Sequence, residues 1–233
     1  IEDCYSYLAK MRQGAEGAWL FHIAYTPEPH PAALFFLFHL LLGKVAAALP
    51  IGTLTTRMVW VYHLARWIFG LGLLLTVYRF LATFTDRLAI RRLAWLLIAF
   101  GGGLGWLLVF VGQSHWFGSL PLDFILPEGF TFLVLYAFPH IALGRTLLLW
   151  GMLSLMKAWR IAPAATQKDR LSARVALSSG QPLTQALVTG FLWLIMGLIV
   201  PFYVAVAWAV TGACFIVLTV REGRFSWARS YLA

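Results

Sequence analysis

Residues 56–84 read TRMVWVYHLARWIFGLGLLLTVYRFLATF. Three arginines and one histidine interrupt a run that is otherwise almost wholly apolar. A helix needs roughly 20 apolar residues to cross about 30 Å of hydrocarbon, and this run supplies them. Backbone amides in lipid must be paired within their own segment, so such a run is a helix and not an open strand. A barrel strand would alternate polar and apolar positions, whereas this stretch is apolar all round. The whole chain shares its character. Of 233 residues, 61% are hydrophobic, 16% aromatic and only 12% charged, against roughly 45–50% apolar and about 25% charged in an ordinary soluble domain. The sequence therefore predicts an all-α polytopic membrane helix bundle.

Further spans follow on either side. Leu93–Gly112, His140–Trp159, Ala186–Val200 and Pro201–Val220 follow as spans, the last two short enough to tilt little or thin the bilayer, giving about five transmembrane helices with Thr56–Phe84. The run Ala32–Leu49 is short and broken by His39 and Lys44, so it reads as a juxtamembrane helix. Residues 1–55 then form an outer loop with juxtamembrane amphipathic helices. Residues 56–233 form the bundle, with an outer loop at 113–139 and an inner loop at 160–185. The GGGLG at Gly101–Gly105 is read as a place where helices approach closely. No strand precedes it, so it is not a nucleotide loop. With no initiator Met, signal peptide or leading membrane helix before the first loop, the chain reads as a fragment or processed product.

A net charge of +9 invites a nucleic-acid reading, but the basic residues sit at helix ends, where membrane orientation puts them. With Ala32–Leu49 in the interface, 12 of the 18 Lys and Arg residues fall on the inner side. Six of the nine acids (Glu2, Asp3, Glu16, Glu28, Asp123 and Glu128) fall on the outer side with His22, His30 and His115. The groups able to do chemistry thus gather at one face. Cys4 and Cys214 match no metal or disulfide spacing.

Five groups stand out there. Glu2 and Asp3 can supply a general base or a hard-cation site; the ordinary alternative is a helix cap. In Thr26-Pro27-Glu28-Pro29-His30, two prolines stiffen an acid and an imidazole, which suits proton transfer, phosphate binding or metal ligation, or a plain hydrated turn. His63 and Arg66, at i and i+3, share a face of an apolar helix. Ionisable groups at such depth face a cavity or the bundle interior, and the arginine fork fits phosphate or carboxylate. His140 follows Pro139 at a helix start, with Arg145 one layer deeper, an arrangement suited to an anion or to a snorkelling arginine. Asp123 and Glu128 lie on the loop facing the same volume.

The segments EDCYSYLAKMRQG, YTPEPH and PEGFTFLVLYAFPH, and the order of juxtamembrane and spanning segments around them, resemble the GT-C superfamily of membrane glycosyltransferases. That superfamily includes protein O-mannosyltransferases, the aminoarabinose transferase of lipid A and oligosaccharyltransferases. The resemblance covers most of residues 1–160 and is strongest to a bacterial group of that kind. It implies that Asp3, with Glu2, stands where the family has its catalytic acid in the first outer loop. Glu28 matches an acid before the second juxtamembrane helix. The lysine that follows that acid in the family is absent, and Pro29-His30 stands there instead. It further implies transfer of a sugar from a polyprenyl-phosphate donor in the bilayer to an acceptor, with inversion, on the outer face of a bacterial plasma membrane. Asp3 would take the acceptor proton, and Arg66, Arg145 or His30 would stabilise the departing phosphate. Any divalent metal ion would fall to Asp3 and Glu28. Two rival readings are a non-catalytic membrane subunit, and a lipid or ion transporter with His63, Arg66, His140 and Arg145 as its polar path.

Overall fold

The computed structural model describes residues 3–23, 26–113, 115, 118–159 and 182–223. They form an all-helical bundle: α1 Asp3–Ala15, α2 Leu37–Ala48, α3 Leu54–Ala82, α4 Leu88–Phe100, α5 Gly105–Phe110, α6 Leu122–Ile125, α7 Thr131–Ala137, α8 Pro139–Ala158, α9 Pro182–Ile199 and α10 Phe202–Glu222. Among the described residues four helices (α3, α8, α9 and α10) are long and apolar enough to cross a membrane. The polytopic all-α architecture stands, and the protein is an integral membrane protein.

Side-chain pairings fix the directions. Tyr62 Oη donates to the Ala137 carbonyl, and Trp150 Nε1 donates to Thr76 Oγ1. Both partners advance together along the chain, so α3 and α8 run parallel. A chain that runs two parallel spans must come back between them. The α4 helix begins that return, antiparallel to α3. Its Trp95 Nε1 donates to the Leu74 carbonyl at 2.8 Å, and Arg91 lies over the Tyr78 ring. Gly151 packs against Trp193, and Trp193 Nε1 donates to the Leu148 carbonyl, which sets α9 antiparallel to α8. Arg145 meets Tyr203 and Trp159 meets Phe215, so α10 again runs with α8. Consequently Arg79, Lys157 and Arg221, in the last turns of α3, α8 and α10, share one basic end with Arg87, Arg91 and Arg92. The α1–α2 hairpin caps the other end.

One span departs from the sequence expectation. Leu93–Gly112 is not a continuous helix: α4 stops at Phe100, and α5 begins at Gly105 and lasts only to Phe110. Three consecutive glycines each cost about 1 kcal/mol in a helix interior, and Gly103 takes φ +80°. A tertiary contact completes the break. The Gly105 N–H donates to Asp123 Oδ2 at 2.9 Å, and Asp123 is itself buried. A Cβ on Gly103 or Gly105 would collide with the Asp123 side chain. The glycine run therefore makes room for a carboxylate on its own loop, not for a neighbouring helix.

The residue 37–48 helix is, as expected, too short to span: 12 residues rise about 18 Å. It pairs with α1 in a hairpin whose backbones nearly touch. A Cβ on Gly14 would lie 2.6 Å from Leu40 Cα, and one on Gly43 would run into the Met11 carbonyl. Met11, Ala46, Met58, Val61 and Tyr62 seal this hairpin onto α3, while Leu73, Val77, Val134, Phe138 and Ile141 fill the middle of the bundle. The helix α9 begins at Pro182; residues 160–181 of the expected inner loop and the end from Arg224 lie outside the described residues. Gly43→Leu is expected to destabilise the detergent-solubilised protein by about 3 kcal/mol or more, the upper end of overpacking costs. Gly72→Ala, where a Cβ meets nothing within 4 Å, is expected to leave stability unchanged or raise it by up to about 1 kcal/mol. Thermal unfolding of both variants checks this.

Candidate functional site

Two features occupy the α1–α2 end. The first is a nest of aromatic rings around one ammonium. The helix α1 turns Tyr7, Lys10, Met11 and Gly14 to one face, since residues three and four apart are neighbours. His39 comes from the first turn of α2, and His140 from the first turn of α8, directly after Pro139. Tyr7 stacks on His39 with centroids 4.8 Å apart and planes at 11°. His140 lies 4.8 Å from His39 and 5.1 Å from Tyr7. Lys10 Nζ sits 3.9 Å over the Phe36 ring, a cation–π contact strengthened where water is excluded. Phe36 adopts φ +54°, which a bulky residue holds only when its surroundings compensate a cost of about 1–3 kcal/mol; the ammonium and an edge contact with Phe21 at 4.9 Å hold its ring, which stays partly exposed.

His39 is 1% exposed, and neither of its ring nitrogens has a hydrogen-bond partner; His140 Nδ1 also lacks one. Burial first, and then the neighbouring His140 and Lys10, hold the His39 imidazole well below its ordinary pKa. It is therefore neutral near pH 7, with one N–H and one lone pair directed into the nest. The great majority of buried polar atoms in proteins are hydrogen-bonded, so the unpaired ring nitrogens of this cluster are unusual.

The second feature is an apolar groove of about 430 Å³ between α3, α4 and α7. Trp67, Leu71, Leu74, Phe100, Phe132 and Leu135 make its walls, and Arg66 stands at its α1–α2 end. Arg66 Nη1 donates to the Tyr136 carbonyl at 2.8 Å, and the guanidinium lies 5.7 Å over the Tyr136 ring. Arg66 and Tyr136 also line a second cavity of about 240 Å³, shared with His63, Tyr62 and Leu8 of α1. One guanidinium thus forms the wall between a hydrocarbon slot and a smaller chamber beneath α1.

The expected site residues fall into separate groups at this end. His140 joins Tyr7, Lys10 and His39. His63 and Arg66 share the smaller chamber. All three nitrogens of Arg145 are bonded elsewhere: Nε donates to Tyr203 Oη at 2.9 Å, Nη1 to Thr131 Oγ1 at 3.2 Å, and Nη2 to the Glu128 carbonyl. Asp123 caps α5 through Gly105. His30 accepts from the Ile23 N–H at Nε2 and meets the Glu28 carbonyl through Nδ1. The proton is therefore on Nδ1, and the ring, stacked on His22 at 4.2 Å, braces the loop. Glu28 is exposed. Asp3 heads α1, so it lies inside the helix and does not cap one starting near Tyr5; its side chain, and the whole of Glu2, lie outside the described residues. Among the described residues no three His, Cys, Asp or Glu side chains group closely enough to hold a metal ion.

Sequence reasoning passed over Lys10, Tyr7 and His39 as site residues. The available signal was positional: Lys10 falls on the same face of α1 as Tyr7, Met11 and Gly14, where a solvated lysine has no place. Comparison with protein-family models, with curated proteins and with solved structures finds no match.

The neutral imidazole carries a pH prediction. A histidine with a folded pKa below its unfolded value of about 6.5 loses stability as pH falls through 6.5, because only the unfolded chain takes up the proton. The slope approaches about 1.4 kcal/mol per pH unit. Thermal unfolding between pH 7.5 and 5.5 is expected to show a steeper loss in the unsubstituted protein than in His39→Gln.

Proposed function

We propose that the protein is a GT-C-like glycosyltransferase that draws a polyprenyl-phosphate-linked sugar sideways out of the bilayer. The observation that carries this reading is the apolar groove closing on Arg66. A polyprenyl chain fits a slot walled by Trp, Phe and Leu side chains, and its phosphate would lie at the one cation there. The partners of the two arginines expected to meet the phosphate, Arg66 and Arg145, separate one from the other. Arg145 has three of its nitrogens engaged by protein oxygens, whereas Arg66 shows one bond and keeps donors for a ligand, since the group carries five N–H bonds.

In this reading the sugar occupies the chamber between Arg66, His63 and Leu8, beneath the helix that Asp3 heads. The acceptor hydroxyl oxygen attacks the anomeric carbon, and its proton passes to the Asp3 carboxylate, with Glu2 beside it. The anomeric carbon–oxygen bond to phosphate breaks from the opposite face, inverting the centre. The charge left on the phosphate is stabilised by Arg66. The expectation that 12 of the 18 basic residues of the sequence lie on the inner side supports placing this end outward.

The test is transfer from a polyprenyl-phosphate sugar by the full-length protein in proteoliposomes, read by mass spectrometry. Arg66→Ala is expected to lower kcat/KM by about 10²–10³-fold, the cost of removing one preorganised charge-stabilising donor. Arg66→Lys should recover part of that, because the charge returns without the planar fork. Asp3→Asn is expected to abolish transfer while leaving thermal stability unchanged. Full activity in Asp3→Asn would end the reading.

A further inference from the structure

The seam between α3 and α4 carries a second groove, nearer the basic end, with a volume of about 440 Å³. Leu74, Leu75, Tyr78, Trp95, Leu96 and Arg92 line it. It meets the Arg66 groove at Leu74 and Trp95, where the indole N–H is tied to the Leu74 carbonyl. The seam is thus one slot divided at Trp95, with an arginine towards each end. Along α3, Arg66 and Arg79 are 13 residues apart (79 − 66), which is about 20 Å. Arginine stems extend towards the nearer interface, so the two arginine layers match the headgroup levels of a hydrocarbon core of about 30 Å.

We propose that this groove binds an anionic phospholipid of the leaflet at the basic end, with an acyl chain between α3 and α4 and the headgroup phosphate at Arg92. The walls exclude a polar occupant. At this depth in a bilayer an acyl chain is the apolar partner present. Charge selects the headgroup. Asp86, Arg87, Arg91 and Arg92 cluster where α4 begins, three cations against one acid, for a local balance of +2. Arg91 is committed to the protein, since its Nη2 donates to the Thr85 carbonyl at 2.9 Å and its guanidinium covers the Tyr78 ring. Arg92 and Arg87 are exposed, and Arg92 lines the groove. The nearby Arg79 lies over the Trp150 ring. A zwitterionic headgroup brings its own cation into this cluster, whereas an anionic one does not.

The experiment is native mass spectrometry of the full chain in a non-ionic detergent, titrated with phosphatidylglycerol or with phosphatidylcholine of the same acyl chains. Phosphatidylglycerol is expected to bind at least five-fold more tightly, and Arg92→Gln to weaken it by roughly five-fold, the effect of one basic residue at a membrane surface. Leu75→Trp, which fills the groove without touching the charge, should also lower phosphatidylglycerol binding while the circular dichroism of the bundle stays unchanged. Inorganic phosphate at matched concentration should not compete. Equal retention of the two lipids, undiminished binding in both variants, or full displacement by inorganic phosphate would overturn the proposal. Transfer activity plays no part in these readouts, so this site and the transferase reading stand or fall separately.

Discussion

The break between α7 and α8 sets the terms for everything at the α1–α2 end. Pro139 has no N–H to give, and Phe138 leaves the helical conformation at φ −121°, ψ +76°. The last carbonyls of α7 lose their helical donors. An unpaired carbonyl in an apolar medium costs several kcal/mol. Tyr62 and Arg66, one turn apart on α3, donate to Ala137 and Tyr136 respectively. This pair of bonds holds α3 parallel to α8, brings Arg66 to the mouth of the apolar groove, and leaves His140 in the first turn of a new helix facing His39. Arg66 is therefore at once a structural donor and the cation of the candidate site.

Composition made the membrane class plain, because nothing but a span explains runs such as 56–84. The relative directions of the helices rest on pairings such as Tyr62 with Ala137 and Trp95 with Leu74, which the sequence does not display. The break of the span at 93–112 was not legible either. Glycines in apolar helices serve close packing as often as they interrupt, and the deciding partner, Asp123, lies 18 residues away from Gly105. A contact of that separation leaves no periodicity in the sequence. The same limit hid the nest: His39 and His140 are about a hundred positions apart, and each by itself is one polar residue in a greasy helix.

The candidate residues share an end of the molecule but not one recess, and their separation has a physical origin. Each break in helical structure there needs its own polar plug. Asp123 plugs the glycine break, Arg145 ties the Glu128 turn and Thr131 to α10, and His30 braces the proline loop. These groups are at the membrane boundary for the same reason catalytic groups would be, since interfacial irregular backbone must be satisfied by side chains. Polarity at one end is thus a weak guide to chemistry unless a side chain retains donors or acceptors that the protein leaves unused.

By that criterion two places remain. Arg66 retains donors beside an apolar slot, and the His39–His140 pair retains ring nitrogens beside Lys10. A core of apolar rings at that position would pack as well and leave no ring nitrogen unpaired, as those of His39 are. Retaining two imidazoles against that cost makes sense if the nest orders the start of α1 relative to α8. Tyr7 and Lys10 are one and two turns along from Asp3, so the stack that fixes Tyr7 on His39 also fixes the register of the helix that carries the proposed base. The nest then does for the acid end of the site what the Tyr136 carbonyl does for Arg66, holding each charged partner by a contact that the substrate need not provide.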